Sequence, residues 1–344
     1  MFRMKRKDGY VVAVVGATGS VGRKVLAVLE ERRFPVAEAR PLASDRPGRR
    51  TVPFRGHEIE VKPLGEGSFA GADIAFFAAG GDVSRRFAPV AAAAGALVID
   101  KSSVFRMDVD VPLVIPEVNA DDIRQAGRGI VANPNCSTSQ LVMAIAPLER
   151  AARVRRLVVD TYQSVSGAGM KGIEDLEAGV RAHVEGREPP PPRAIARPIA
   201  FNAVPHIDRF GDGGFTGEEL KLINETRKIL HRPDMLVTCT AVRIPVFVGH
   251  SEAVTVELTR EISPDEARSL LSAFPGVAVI DDPASGSYPT PLEAAGRDEV
   301  FVGRIRRDPT CPTGLHLWVV SDNLRKGAAT NAVQIAELAI GRAE

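Results

Sequence analysis

Apolar and polar positions follow two regimes along this chain. Tyr10 to Val15 is a β-branched run with no polar interruption, which predicts a strand buried on both faces of a parallel sheet. Val21 to Glu31 follows with Val25, Leu26 and Leu29 on one side, the spacing of a helix. The unit then repeats as Ile74 to Ala78, the turn Ala79-Gly80-Gly81, an alanine-rich helix to about Ala94, and Leu97 to Ile99. After Asn133-Pro134-Asn135-Cys136, the segment Ser139 to Ile145 carries apolar residues at 141 and 145, with 148 in phase, so a helix opens close to Cys136.

The second regime is strand-rich. Val154 to Gln163, Thr238 to Val248, Ser251 to Thr259 and Leu315 to Val320 read as strands of a mixed or antiparallel sheet. Phe215 to Leu230 has Leu222, Ile223, Thr226, Ile229 and Leu230 on one helical side, and Ala328 to Ile340 is a closing helix. Between them, residues 186–206 hold Pro189 to Pro192, Pro198 and Pro205, too many prolines for a helix interior or a central strand, so an extended surface segment is expected.

A length of 344 residues predicts two domains. Hydrophobic content of 44% and charged content of 25% are those of a globular protein in water. A net charge of +1 gives no reason to expect nucleic acid as a partner. Three scattered cysteines, 136, 239 and 311, are too few for a disulfide framework or a cysteine zinc site, so no metal is expected and the cytoplasm is the natural compartment. The basic start Met1 to Lys7 runs into Gly16-Ala17-Thr18-Gly19 without a cleavage site, which argues against export, and residues 1–9 read as a loose tail. The longest apolar stretch, Ala88 to Ile99, is too short to span a bilayer, which takes roughly 20 residues.

The chemistry lies in the joints between elements. Gly16, Gly19 and Gly22 form a strand-to-helix turn where main chain can approach a pyrophosphate whose charge rests on the helix N-terminus, although the spacing departs from Gly-x-Gly-x-x-Gly. The loop Arg40 to Arg50, at the end of the next strand, offers Ser44 and several arginines to a ribose 2′-phosphate, while Asp45 in the same loop could discriminate the other way. Cys136 at a helix start meets unpaired N–H groups and the positive end of the helix dipole, which favour the thiolate, the form that attacks carbonyl carbon. Gln163 ends an apolar strand, Glu218 and Lys221 share a helix face, Arg243 offers a carboxylate-matching fork and His250 a near-neutral proton carrier.

Gly16 to Gly22, Asn133 to Thr138, Gln163 to Gly169, Glu218-Glu219-Leu220-Lys221 and Arg243 to His250 occur in this order across nearly the whole chain. Together they resemble the aspartate-semialdehyde dehydrogenases. The resemblance implies an α/β fold: a Rossmann-type NADP-binding domain, residues 1–134 completed by a C-terminal helix 325–344, and an α+β catalytic and dimerisation domain, residues 135–324, with a mixed sheet. It implies Cys136 as nucleophile, His250 as proton carrier and Gln163 as holder of the reacting carbonyl. Arg243 and Glu218 take the α-carboxylate and α-ammonium of the substrate, with Arg106, Lys221 and Asn135 on its phosphate. Gly16, Thr18, Gly19, Ser20, Val21, Gly22, Ser44, Arg46, Pro47, Ser166, Gly167 and Asn323 fall to NADP, with Gly80 and Gly81 passing near it. A homodimer or homotetramer is expected, acting in the aspartate route to lysine, threonine and methionine. The nearest rival is N-acetylglutamyl-phosphate reductase, whose acylated substrate nitrogen would leave Glu218 without purpose; a catalytically inactive nucleotide-binding homologue is a rival of another class.

Overall fold

The computed structural model describes residues 4–44 and 50–342. The chain divides into two compact units, Met1–Asn135 with Ala328–Glu344, and Cys136–Gly327.

Among the described residues of the first unit, six strands form a parallel sheet in the order Lys62–Pro63, Val36–Ala43, Tyr10–Val15, Ile74–Phe77, Leu97–Asp100, Ile130–Ala132. Tyr10–Val15 is buried along almost its whole length, as its uninterrupted apolar run requires. Its neighbours lie on opposite sides, so the order reverses at this strand. The glycine turn that follows it therefore opens at the topological switch point, where α/β sheets bind ligands. The helix Ser20–Glu31 turns Val25, Leu26, Val28 and Leu29 into the core.

The closing helix belongs to this unit. Its α-helical part is Thr330–Ala339, two residues inside the predicted start at Ala328, and a π-helical turn, Arg325–Ala329, leads into it. Val333, Ile335 and Ala336 join the core that holds Val25 and Leu29, each large side chain contributing about 1.5–3 kcal/mol by burial. Glu337 takes a bidentate ion pair from Arg32 at 2.7–3.0 Å, and Asn331 donates to the Val114 carbonyl and to Asn133 Oδ1. Asn133 is thereby fixed ahead of the reactive turn.

In the second unit, six described strands form a mixed sheet ordered Leu236–Arg243, Val154–Gln163, His250–Leu258, Gly314–Ser321, Val300–Arg307, Val277–Val279. The outer pairs are parallel and the inner ones antiparallel. The helix Cys136–Ala152 packs on this sheet and is buried from Cys136 through Leu148. Thr216 and Glu219 close a reciprocal capping box at the start of Gly217–Ile229, which fixes where that helix begins.

One predicted strand is corrected. The run Thr238 to Val248 stops at Arg243, because Pro245 lacks the N–H a ladder needs, and the chain then turns through Ile244–Gly249. Residues 187–209 carry neither helix nor strand, apart from a single bridge between Val204 and Arg243. Among the described residues no helix is long and apolar enough to cross a membrane.

Candidate active site

Cys136 is the first residue of its helix and His250 the first of its strand. Gly249, at φ +96°, makes the turn into that strand, and a Cβ on it would stand 3.0 Å from Pro291. These placements set Cys136 Sγ 3.3 Å from His250 Nε2, both side chains buried. The other ring nitrogen, Nδ1, lies 3.1 Å from the Ser164 main-chain N and 3.1 Å from Ser164 Oγ. Behind the sulfur the chain returns at Gly327, where a Cβ would stand 2.8 Å from the Cys136 Cβ. Cys239 is the contrast: burial in its strand pushes its thiol far up, with Glu252 and Glu219 adding to the effect.

A polar cluster of the same unit surrounds this pair. Gln163 sends its amide N–H groups to Ser137 Oγ and, at 3.1 Å, to Glu218 Oε1, while among the described residues its own oxygen has no partner. Glu218 also accepts from Lys221 Nζ at 3.2 Å, the predicted i,i+3 pair, and Lys221 reaches Asp208 at 2.6 Å. Burial alone would lower the Lys221 ammonium, but Glu218 and Asp208 outweigh it and hold the group above its ordinary value. Arg243 is buried and donates through Nη1 to the Ser164 carbonyl at 2.7 Å. Its desolvation lowers its pKa against the pull of Glu218 and Cys136, and a guanidinium so placed stays charged.

Gly167 packs against this guanidinium and the His250 ring. Asn323 donates to Ser166 Oγ at 3.0 Å, and its Oδ1 accepts from the Gly249 N–H at 3.0 Å and from Ser164 Oγ at 3.1 Å. Cys136, His250, Gln163, Glu218, Lys221, Arg243, Ser166, Gly167 and Asn323 thus all belong to the second unit.

The remaining predicted residues belong to the first unit. Gly16 adopts φ +83°, and a Cβ on it would stand 2.7 Å from the Ala78 carbonyl; a Cβ on Gly22 would run into the Gly16 carbonyl. Thr18 accepts from Arg23 Nε through its carbonyl at 3.2 Å, and Gly19 and Val21 flank the first residue of the helix, Ser20. Among the described residues the buried Ser20 Oγ has no hydrogen-bond partner, and no acid stands in that first turn. An unpartnered donor at an open helix N-terminus, with a bare glycine turn before it, fits an anionic diphosphate. Ser44 is exposed, and its carbonyl accepts from Arg50; Asp45, Arg46 and Pro47 lie outside the described residues. Arg106 is buried and donates to the Asn133 carbonyl at 3.0 Å and the Lys101 carbonyl at 2.6 Å, supporting the turn that leads through buried Asn135.

Sequence reasoning missed Ser137, Ser164, Asp208 and Gly327. Ser164 carried a faint signal as the polar residue next to Gln163, but Asp208 meets Lys221 only through the fold, and nothing local marks Gly327.

Family models match both units: "Semialdehyde dehydrogenase, NAD binding domain" over residues 11–126 and "Semialdehyde dehydrogenase, dimerisation domain" over residues 145–326. An aspartate-semialdehyde dehydrogenase of Aquifex aeolicus is 56% identical over 334 residues, covering 96% of this chain and 98% of that protein. This chain belongs to the aspartate-semialdehyde dehydrogenase family. The Bacillus subtilis aspartate-semialdehyde dehydrogenase is 48% identical, with 96% and 97% of the two chains covered. The crystal structure of aspartate semialdehyde dehydrogenase II of Vibrio cholerae, complexed with ASA, superposes with a TM-score of 0.94 at 44% identity, covering 97% of this chain and 99% of that one. As an aspartate-semialdehyde dehydrogenase family member, the protein is an oxidoreductase whose first unit carries a nicotinamide-cofactor domain. Its relatives do not favour the N-acetylglutamyl-phosphate reductase reading.

Proposed function

We propose that the chain interconverts L-4-aspartyl phosphate with L-aspartate 4-semialdehyde and phosphate, through a thioester on Cys136. The observation that carries this reading is the Cys136 sulfur 3.3 Å from His250 Nε2, in one unit with Arg243 and Glu218. A thiolate at the start of a helix attacks the carbonyl carbon of the acyl phosphate, the carbon–oxygen bond to phosphate breaks, and phosphate departs with the electron pair. A dihydronicotinamide cofactor, when bound, would supply the hydride that reduces the thioester. The Cys136–carbon bond of the thiohemiacetal then breaks, releasing the aldehyde and restoring the thiolate, while His250 serves the proton traffic.

Arg243 holds the α-carboxylate with its planar fork, and Glu218 holds the α-ammonium. Lys221, Arg106 and Asn135 take the phosphate. Gln163 steadies the carbonyl oxygen; its N–H groups now rest on Ser137 and Glu218, and an ammonium drawn to Glu218 frees a donor for the substrate. Gly16, Thr18, Gly19, Ser20, Val21 and Gly22 would hold the dinucleotide, with Ser166, Gly167 and Asn323 towards the nicotinamide. Ser44, Arg46 and Pro47 set a preference for NADP by meeting a 2′-phosphate. In this reading residues 1–134 with 325–344 bind cofactor, residues 135–324 bind substrate and form a homodimer or larger assembly, and the enzyme works in the cytoplasm.

The test is phosphate-dependent reduction of NADP with L-aspartate 4-semialdehyde, run beside NAD and beside the N-acetylated glutamate semialdehyde. Turnover with the first pair is expected. Preference for the acylated aldehyde would transfer the assignment to the rival reductase, absence of turnover with both would remove the enzyme reading, and equal use of NAD would remove the role of Ser44 and Arg46.

A further inference from the structure

We infer that the main-chain amide of Ser164 holds His250 as the neutral tautomer protonated at Nε2, so that the ring presents a hydrogen rather than a lone pair to the Cys136 sulfur. Which nitrogen of a histidine carries the proton follows from its partners. A main-chain amide has only a hydrogen to offer, and the Ser164 N–H points at Nδ1 over 3.1 Å. Nδ1 must therefore keep its lone pair. The single hydrogen of the neutral ring then stands on Nε2, 3.3 Å from Sγ.

The amide cannot easily turn away. Its residue is fully buried, its carbonyl is held by Arg243 Nη1 at 2.7 Å, and the preceding carbonyl, of Gln163, accepts from Ile244 N at 3.0 Å. Ser164 Oγ stands 3.1 Å from both Nδ1 and Asn323 Oδ1, so its hydrogen can serve either without contradicting the tautomer. A doubly protonated ring would set its Nδ1 hydrogen against the amide hydrogen inside a buried site. It would also bring a second cation close to Arg243, since a Cβ placed on Gly167 would meet both the Arg243 Nη1, at 2.7 Å, and the His250 Nε2, at 3.3 Å.

Cys136 and His250 are accordingly not a thiolate–imidazolium pair. In the resting site the ring donates its Nε2 hydrogen and the sulfur accepts it. Ser164 is a positioning residue for this arrangement. The inference rests on the reading of Cys136 and His250 as the reacting pair only for its bearing on catalysis; the tautomer itself is measurable without turnover.

The experiment is a long-range ¹⁵N–¹H correlation spectrum of the full chain with ¹⁵N-labelled histidine at neutral pH. The His250 signals among the six histidines are assigned by their loss in His250→Asn. An Nδ1 signal far downfield at the unprotonated position, with Nε2 at the protonated one, is expected. The reverse order, or both nitrogens at protonated positions, overturns the inference. Ser164→Ala keeps the amide and is expected to keep this pattern, whereas a switch to protonated Nδ1 would show the hydroxyl in control and overturn the role given to the main chain. If Cys136→Ser retained turnover while the tautomer held, the catalytic reading would fail and the tautomer would stand.

Discussion

Gly167 and Arg243 are packed so closely that a methyl group at position 167 would stand 2.7 Å from the guanidinium Nη1. The same methyl would lie 3.3 Å from two atoms of the His250 ring, tighter than ordinary contact. Gly167→Ala is expected to displace the guanidinium, and with it the proposed contact to the substrate carboxylate, and to push the ring from the sulfur. A shift of about 1 Å at a reacting centre costs roughly 100-fold. Steady-state kinetics should show kcat/KM reduced by that order with the melting temperature nearly unchanged; wild-type kinetics would show that Arg243 yields freely.

Cys136→Ser replaces the thiolate by a hydroxyl that stays protonated at neutral pH. Turnover is expected to fall by roughly 10³-fold or more, while NADPH binding, measured by fluorescence titration, persists. Retained turnover would remove Cys136 from the reaction.

Arg243→Lys keeps the charge and loses the bidentate geometry. A buried ammonium cannot reproduce two parallel N–H donors, so KM for the semialdehyde is expected to rise by about tenfold or more, with a smaller effect on kcat. An unchanged KM would place the carboxylate elsewhere.

Asp208 holds the far side of Lys221 at 2.6 Å, and although burial works against it, the hydrogen bonds from Lys221 and the Arg209 main chain keep its carboxyl below the usual range. Asp208→Asn removes one of the two anions that hold Lys221. Because the aspartate is partly exposed, stability should change by about 0.5 kcal/mol or less, while KM for phosphate shifts severalfold. Phosphate kinetics insensitive to the change would separate Lys221 from phosphate.

Glu252 is fully buried, and among the described residues neither of its oxygens has a hydrogen-bond partner. Burial pushes its carboxyl well above the ordinary value, against the pull of the neighbouring Gln140 amide. The native state therefore keeps a proton that the unfolded chain has lost above the normal carboxylate range. Its share of stability is fully present below the unfolded pKa and declines as pH rises. Melting temperatures from about pH 5 to pH 8 should fall faster for the wild type than for Glu252→Gln. Parallel curves would mean that Glu252 ionises normally.

The strands Tyr10–Val15 and Val154–Gln163 were legible because uninterrupted or alternating apolar runs admit few other readings. The cysteine and histidine could be picked out because each stands at an element boundary within two residues of a proline or glycine, Pro134 and Gly249. What was hidden depends on distant partners. The run through Pro245 looked like a continuing strand, since alternation outweighed one missing donor. Ser164 matters chiefly through its main-chain N–H, which every residue but proline possesses and no motif can display. Lys221 read as half of a helical ion pair because Asp208 reaches it only from a segment without regular structure.

The sulfur has its surroundings assembled from far along the chain: His250 lies 114 positions away, and Gly327 closes against Cys136 from behind. During translation, a chain emerging from the ribosome exposes its cysteine long before the loop that shelters it has been made. The sulfur thus gains the histidine it faces and the glycine packed behind it only from segments made well after the cysteine itself.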